Sequence, residues 1–147
     1  MDQLKRDEGE LLHVYKDSLG IKTAGVGHNL ESHGIDLEVG TIISQKQCDQ
    51  WLAEDIADAE TKLAEALPWT NDLDEVRQGA LINMCFNMGI GKPGGTHGLL
   101  SFPHTLAMIQ AGNYEGAASA MLESKWSKQV GIRATRLAAQ IETGEWQ

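Results

Sequence analysis

The 147-residue sequence lacks a long apolar stretch and an apolar leader. No run of about 18 apolar residues is present, which excludes a transmembrane helix by the usual length criterion. The N-terminus carries Lys5, Arg6, Asp7 and Glu8 where a secretory signal peptide would have its apolar core. We therefore expect a chain that does not insert stably into a membrane and does not enter the secretory route by itself.

Positive charge is also scarce, with 12 Lys and Arg against 21 Asp and Glu and a net charge of −9. Without a basic stripe to neutralise phosphates, the chain is not expected to bind nucleic acid. The same acidity prevents electrostatic steering toward an anionic target. Such a target is compatible with this charge at high ionic strength, or if the protein is tethered to a particle.

The sequence has few cysteines and no common metal-binding motif. Cys48 and Cys85 stand alone on predicted helices, and we expect both to be reduced thiols. There is no Cys-x-x-Cys and no His-Glu-x-x-His, and the five histidines are scattered along the chain. The sequence therefore predicts neither a metal site nor a cofactor.

The length and the 41% of hydrophobic residues indicate one domain with a real core. Ser44 begins a capping box and a long helix with one apolar stripe, which Pro68 ends. Residues 76–88 are apolar on nearly all sides, which predicts a buried helix. The glycines of 89–101 exclude a helix there and favour a mobile loop. Further helices are predicted over 103–111, 114–124 and 133–143.

Residues 2–28 predict a short helix followed by a β-hairpin. The segments 13–17 and 21–26 alternate and contain β-formers, and a short loop with Gly20 joins them. If Asp17 pairs with Ile21, Tyr15 pairs with Thr23. Asp17 and Thr23 then become diagonal neighbours on one face, about 7–8 Å apart. This gap suits one water held by a carboxylate and a hydroxyl.

Glu8 is expected in a different environment, at the C-terminal end of the short helix. The helix dipole and partial burial both disfavour its ionised form. Asp17 lies beside a turn with available backbone N–H groups and should stay ionised. Two carboxyl groups with opposite protonation preferences are suited to act as acid and base, and these are the groups that cleave a glycosidic bond.

Three blocks of sequence resemble one known family. Arg6-Asp7-Glu8-Gly9, Tyr15-Lys16-Asp17 and Thr23-Ala24-Gly25-Val26-Gly27-His28, with the spacing Glu-x8-Asp-x5-Thr, are similar to the active-site signature of the phage T4-type lysozymes, glycoside hydrolase family 24. Residues 80–89 resemble the family's central buried helix. Residues 124–126, followed by 133–136, resemble its C-terminal region. The resemblance covers nearly the whole chain in order.

The resemblance implies a mostly helical α+β fold with a cleft between two lobes. The small N-terminal lobe (1–43) would hold the first helix and the hairpin, a connecting helix would span 44–68, and 69–147 would form a larger helical lobe. The implied activity is that of a muramidase, which hydrolyses the β-1,4 bond between N-acetylmuramic acid and N-acetylglucosamine in peptidoglycan.

The implied mechanism is inverting, with Glu8 as the acid and Asp17, helped by Thr23, as the base that activates water. The resemblance implies that Arg133 lies near Glu8 and that His28 is structural. It also suggests three substrate-binding residues: Phe86, Asn29 and Thr105.

Other functions stay open at this point. The chain could be a non-catalytic wall-binding or tail-structural module of the same fold, although such a module would not need all three site residues. A lytic transglycosylase would leave Asp17 and Thr23 without a role. An acidic helical interaction protein would not explain the hairpin.

The expected partners are peptidoglycan glycan strands, bound by a monomer. With no signal peptide, the protein is expected to stay in the host cytoplasm until a holin or similar partner releases it to the wall, or to be attached to a virus particle.

Overall fold

The computed structural model describes residues 2–147, and the chain divides into two compact units, Met1–Asp58 and Ala59–Gln147. The boundary falls inside the longest helix, α2. The fold is α+β and mostly helical, as predicted. The first unit contains α1 (Asp2–Glu8), β1 (Leu11–Lys16), β2 (Lys22–Gly25), β3 (His28–Asn29) and the first part of α2 (Gln45–Ala66). The second unit contains α3 (Glu75–Met88), α4 (Pro103–Gln110), α5 (Tyr114–Glu123), α6 (Lys125–Val130), α7 (Ile132–Thr143) and 3-10 helices at Pro68–Asp72 and Leu99–Ser101.

The sheet of the first unit is antiparallel, in the order β1-β2-β3. Tyr15 pairs with Thr23, and the Asp17 N–H donates to the Ile21 carbonyl over 2.9 Å, which confirms the predicted hairpin register. Thr23 also pairs with Asn29 on β3. A small core lies beneath the sheet and consists of Val14, Ala24, Leu30, Ile43 and Trp51.

Helix α2 begins as the sequence predicts. The Ser44 hydroxyl oxygen accepts a hydrogen bond of 3.1 Å from the Gln47 N–H, which satisfies one of the first amides of the helix. The predicted apolar stripe is buried at Cys48, Leu52, Ala59 and Leu63. The helix ends at Ala66, two residues before Pro68, which starts a 3-10 helix instead.

Helices α3, α5 and α7 supply much of the core of the second unit. The central residues of α3 and an apolar stripe of α7 are buried together with Ala117 and Met121 of α5. Arg77 of α3 crosses to α7, where its Nε donates to the Ile141 carbonyl over 2.6 Å. Its guanidinium also lies 3.6 Å from the centre of the Tyr114 ring. This cation–π contact links α5 to α3.

Two features of the second unit differ from the sequence prediction. Helix α6 was not predicted, although Ser124 caps it with a hydrogen bond to the Ser127 N–H and Gly131 ends it at a φ of +59°. The loop 89–101 closes with a 3-10 turn, and its two ends touch at Gly91 and Gly98. A Cβ on Gly91 would lie 2.4 Å from the His97 carbonyl oxygen, so only glycine fits this crossing. Among residues 2–147, no helix has the length and apolar character needed to cross a bilayer.

Candidate active site

Glu8 is the last residue of α1 and is half-buried. The chain turns away at Gly9, whose φ of +77° is accessible to glycine with little strain. The carboxyl group of Glu8 points toward the turn between β2 and β3. A Cβ built on Gly27 would lie 3.7 Å from Glu8 Oε2. The helix end and this turn therefore place Glu8 beside the sheet.

Asp17 follows β1 directly and is fixed by the hairpin turn. Its Oδ1 accepts hydrogen bonds from the backbone N–H groups of Leu19 (2.8 Å) and Ile21 (2.9 Å). These two bonds fix the orientation of the carboxyl group through one of its oxygens. Within residues 2–147, no side chain or amide donates to the second oxygen, Oδ2. This oxygen can accept a hydrogen from solvent.

Thr23 lies two strand positions beyond the turn and is only 4% exposed. Its hydroxyl donates to the Ile21 carbonyl over 2.9 Å. Because this bond uses the single hydroxyl hydrogen, the remaining lone pairs of Oγ1 can only accept. Thr23 can therefore hold a water by accepting one of its hydrogens.

Tyr15 was not among the predicted site residues, although its pairing with Thr23 was. Burial raises the pKa of the Tyr15 phenol, and the negative charges of Asp17 and Glu8 raise it further. A single phenol that senses both charges must lie near both carboxyl groups. The first unit therefore brings together Glu8, Asp17, Thr23 and Tyr15.

Two other predicted residues of the first unit lie beside this group. Asn29 pairs with Thr23, and its side-chain oxygen accepts from the Ser32 N–H over 3.0 Å. His28 is 1% exposed, and its Nδ1 lies 2.7 Å from Asp55 Oδ2. These contacts fit the predicted structural role for His28, and Asp55 is the partner that the sequence did not reveal.

The remaining predicted residues lie in the second unit. Phe86 is half-buried near the end of α3, and Thr105 is buried in α4. Arg133 is buried at the start of α7, where Nε and Nη2 donate to Asn83 Oδ1 over 3.0 and 2.8 Å. The predicted proximity of Arg133 to Glu8 concerns two separate units and stays a prediction.

A groove of about 530 Å³ lies on the second unit. Its apolar lining comes from Met88, Phe102 and Trp126, and its polar lining includes Thr105 and Gln129. The Trp126 indole N–H donates to Asn87 Oδ1 over 2.8 Å, which fixes the ring. A concave surface that combines aromatic rings with polar side chains is suited to a ligand that has both apolar faces and polar groups. Apart from Thr105, this lining was not predicted from the sequence, because its residues come from separate stretches at 88, 95–105 and 120–129.

Two clusters among residues 2–147 place His, Cys or carboxylate atoms within reach of one ion. One contains His28, His33 and Asp55, and the other contains Glu10, Cys48 and Asp49. Burial, with smaller effects from neighbouring Glu10, raises the pKa of the Cys48 thiol to about 11. The thiol is therefore protonated at neutral pH, which disfavours metal binding at the second cluster.

Comparison with known proteins finds one family model and several relatives that match most of the chain. The family model described as phage lysozyme matches residues 5–141. The chain is 32% identical over 165 residues to probable T4-type lysozyme 1 of Dictyostelium discoideum, covering 97% of this chain and 93% of that protein. It is 32% identical over 126 residues to the endolysin of Salmonella phage P22, covering 86% and 79%. It is also 29% identical over 163 residues to the pre-baseplate central spike protein Gp5 of Enterobacteria phage T4, covering 97% of this chain but 27% of that protein.

Proposed function

The chain belongs to the phage lysozyme family, and from this premise we propose that it is a muramidase. As a peptidoglycan hydrolase, it would cleave the β-1,4 bond between N-acetylmuramic acid and N-acetylglucosamine. The proposal assigns the chemistry to the first unit. The reaction breaks the bond between the anomeric carbon and the glycosidic oxygen, and water supplies the new hydroxyl.

Glu8 is the proposed acid. It ends α1, and its carboxyl group lies beside the turn between β2 and β3. In its protonated form it would donate a hydrogen to the glycosidic oxygen as that oxygen leaves. An adjacent Gly27 without a side chain leaves space for a sugar to approach the carboxyl group.

Asp17 and Thr23 are the proposed water-binding groups. One water would donate one hydrogen to Asp17 Oδ2 and the other to Thr23 Oγ1, leaving an oxygen lone pair aimed away from the sheet. Asp17 would remove its hydrogen as the oxygen attacks the anomeric carbon from the face opposite the leaving group. Such a reaction inverts the configuration, for which carboxyl separations of about 6.5–9.5 Å are typical.

The observation that carries this proposal is the pattern of hydrogen bonds at the turn. Two backbone amides hold Asp17 by a single oxygen, and the Thr23 hydrogen is committed to the Ile21 carbonyl. Both side chains are thereby prepared as acceptors on one face of the hairpin. A lytic transglycosylase needs no bound water, so it would make no use of this arrangement.

Substrate binding away from the scissile bond is assigned to Asn29 in the first unit and to Phe86 and Thr105 in the second. We propose that the groove containing Thr105 binds a part of the peptidoglycan. The apolar faces of Phe102 and Trp126 suit sugar rings or the methyl groups of short peptides.

The setting in which the protein works is also a proposal. An endolysin-like enzyme would reach the wall after a permeabilising partner opens the membrane. A domain like the matched part of the spike protein Gp5 would be carried on a particle. A protein tethered in this way would not depend on long-range attraction, which the net charge of −9 cannot provide at an anionic wall.

The test is digestion of purified peptidoglycan with mass analysis of the products. The native protein is expected to release muropeptides with reducing N-acetylmuramic acid ends. Glu8→Gln should lose at least about 100-fold of this activity while retaining its circular dichroism spectrum. Asp36→Asn is a matched control, because the Asp36 side chain is 99% exposed and its loss should leave activity unchanged.

Two results would count against the proposal. Products with anhydromuramic ends would identify a transglycosylase. Absence of any cleavage by the folded native protein would favour a binding or structural module.

A further inference from the structure

The geometry of a second cluster in the first unit points to a binding site for one transition-metal ion, and we propose that His28, His33 and Asp55 bind Zn²⁺ or a similar divalent ion. The three residues lie on β3, on the loop after it and on α2. One ligand atom from each lies within 4.8 Å of the others. None of the three is assigned to the proposed glycosidase chemistry, so this site is separate from that function.

The two carboxylate oxygens of Asp55 face two different histidines. Oδ2 lies 2.7 Å from His28 Nδ1, and Oδ1 lies 3.8 Å from His33 Nε2. Donors placed about 2.0–2.1 Å from a tetrahedral zinc ion are about 3.3–3.4 Å apart. One observed separation is shorter than this value and the other is longer. The first would have to lengthen by about 0.6–0.7 Å and the second to shorten by about 0.4–0.5 Å to reach the tetrahedral separation.

His33 has the orientation of a metal-binding imidazole. Its Nδ1 lies 2.7 Å from the Asn29 carbonyl oxygen, which can only accept, so Nδ1 carries a hydrogen. In the neutral ring, the lone pair is then on Nε2 and faces the Asp55 carboxylate. A carbonyl bonded to the second ring nitrogen is the usual way in which proteins orient a histidine ligand. A cation between Nε2 and Oδ1 would replace their mutual repulsion with two bonds.

His28 is held rigidly in place. Its ring is stacked between His33, at a centroid distance of 4.2 Å, and Trp51, at 4.6 Å. Among residues 2–147, no group hydrogen-bonds to His28 Nε2, which is buried. The contact of Nδ1 with Asp55 is therefore what orients the ring. A metal ion at the site would take the place of the hydrogen in that contact, and the neutral ring would then carry its hydrogen on Nε2.

The exposure of the three residues leaves an entry route. His28 is buried, Asp55 retains 18% of its side-chain surface and His33 retains 48%. Solvent can therefore reach the cluster from the His33 side and provide the fourth ligand, as at zinc sites with three protein ligands. Two imidazoles and one carboxylate favour zinc, cobalt or nickel over magnesium and calcium, which prefer oxygen ligands.

An ion at this site would link β3 and its following loop to α2. Because β3 pairs with β2 through Thr23 and Asn29, the ion would stabilise the sheet that carries Asp17 and Thr23. The expected consequence is higher stability of the folded state by mass action. This site could not be predicted from the sequence, since its ligands are spread over 28 positions without a recognised spacing.

The experiment uses the full chain, made without a histidine tag and treated with EDTA. Calorimetric titration with ZnCl₂ should show one bound ion, and MgCl₂ should show none. At a free zinc concentration about 100 times Kd, the melting temperature should rise by about 5–10 °C. Cobalt should give the visible absorption of a tetrahedral ion. In nitrogen-15 NMR, the chemical shift of His33 Nε2 should change when zinc is added.

Variants of single candidate ligands, with matched controls, test which residues bind the ion. His33→Gln removes one half-exposed ligand without opening the core, and it should abolish the zinc-dependent rise in melting temperature. His13→Gln removes an exposed histidine of β1, and Cys48→Ser removes the thiol of the other candidate cluster. Both should bind zinc as the native chain does.

Three outcomes would overturn the proposal: no zinc binding by the native chain, binding that survives in His33→Gln, or binding lost in Cys48→Ser.

Discussion

The hairpin turn of the first unit and two arginines of the second form hydrogen bonds over very different distances along the chain. Asp17 bonds to amides two and four residues ahead, and Thr23 bonds to a carbonyl two residues behind. In the second unit, Arg133 bonds to Asn83 across 50 positions, and Arg77 bonds to Ile141 across 64. The candidate water site is thus encoded locally, whereas these contacts of Arg133 and Arg77 depend on tertiary packing.

This difference has a consequence for mutations. A substitution at the turn can remove chemistry while leaving the fold intact, because the same backbone amides can bond to a neutral substitute. A substitution at a buried long-range pair leaves a polar group without its partner and lowers the free energy of unfolding.

The largest effect is expected from Asp17→Asn. The new amide oxygen can still accept from the Leu19 and Ile21 N–H groups, so the turn should persist. The general base is lost, and kcat on peptidoglycan should fall by about 100- to 10,000-fold with little change in melting temperature. Asp17→Ala provides the comparison, since it should lose the same activity and also destabilise the turn. Near-native turnover by Asp17→Asn would remove Asp17 from the mechanism.

A stability effect is expected from Asn83→Leu. The substitution removes the oxygen that accepts from both Nε and Nη2 of the buried Arg133. We expect the free energy of unfolding to fall by about 1–3 kcal/mol, as measured by urea denaturation. Asn71→Leu, at an exposed position, should change it by less than about 0.5 kcal/mol. Equal effects of the two variants would show that the long-range pair does not stabilise the second unit.

A smaller effect on activity is expected from Thr23→Val. Valine fills the same volume but cannot accept a hydrogen from water, and kcat should fall by about 10-fold, equivalent to about 1.4 kcal/mol. The apparent KM should change little, because the water and not the sugar loses its contact. Thr23→Ser retains the hydroxyl and should restore most of kcat. An equally slow serine variant would indicate that packing by the Thr23 methyl group matters more than its hydroxyl.

The smallest effect is a change in the titration of Tyr15. Burial and the charges of Asp17 and Glu8 raise the pKa of this phenol. The associated stability is complete below the pKa of an unfolded tyrosine and is lost as pH rises through the higher folded-state value. In a Tyr114→Phe background, Asp17→Asn should lower the pKa of Tyr15, as followed by tyrosinate absorbance. Asp36→Asn should leave it unchanged, and an identical shift in both variants would exclude a specific effect of Asp17.

The sequence predicted the parts of the fold that depend on local patterns. The hairpin register followed from alternation and Gly20, and the start of α2 followed from Ser44. The family match confirms the resemblance on which the fold and the general activity were based. Helix α6 was missed because its six residues are too few to show a clear period, although Ser124 and Gly131 mark its ends.

The parts of the site that depend on residues close together in the sequence could be predicted. The pairing of Tyr15 with Thr23 was predicted. That the Tyr15 phenol lies near the carboxyl groups of both Asp17 and Glu8 could not be predicted, because it depends on the folded structure. The partnership of His28 with Asp55 spans 27 positions and cannot be read from spacing. The groove around Trp126 likewise combines distant segments. The roles of Glu8, Asp17, Thr23, Asn29, Phe86, Thr105 and Arg133 stay predictions.

The most direct test of the account is the anomeric configuration of the first product, observed by proton NMR within minutes of adding the enzyme to a soluble glycan strand. A water held by Asp17 and Thr23 opposite the bond that Glu8 protonates must invert the configuration. The account predicts that the α-anomer of N-acetylmuramic acid appears first and then converts to the equilibrium mixture. Initial formation of the β-anomer would contradict it.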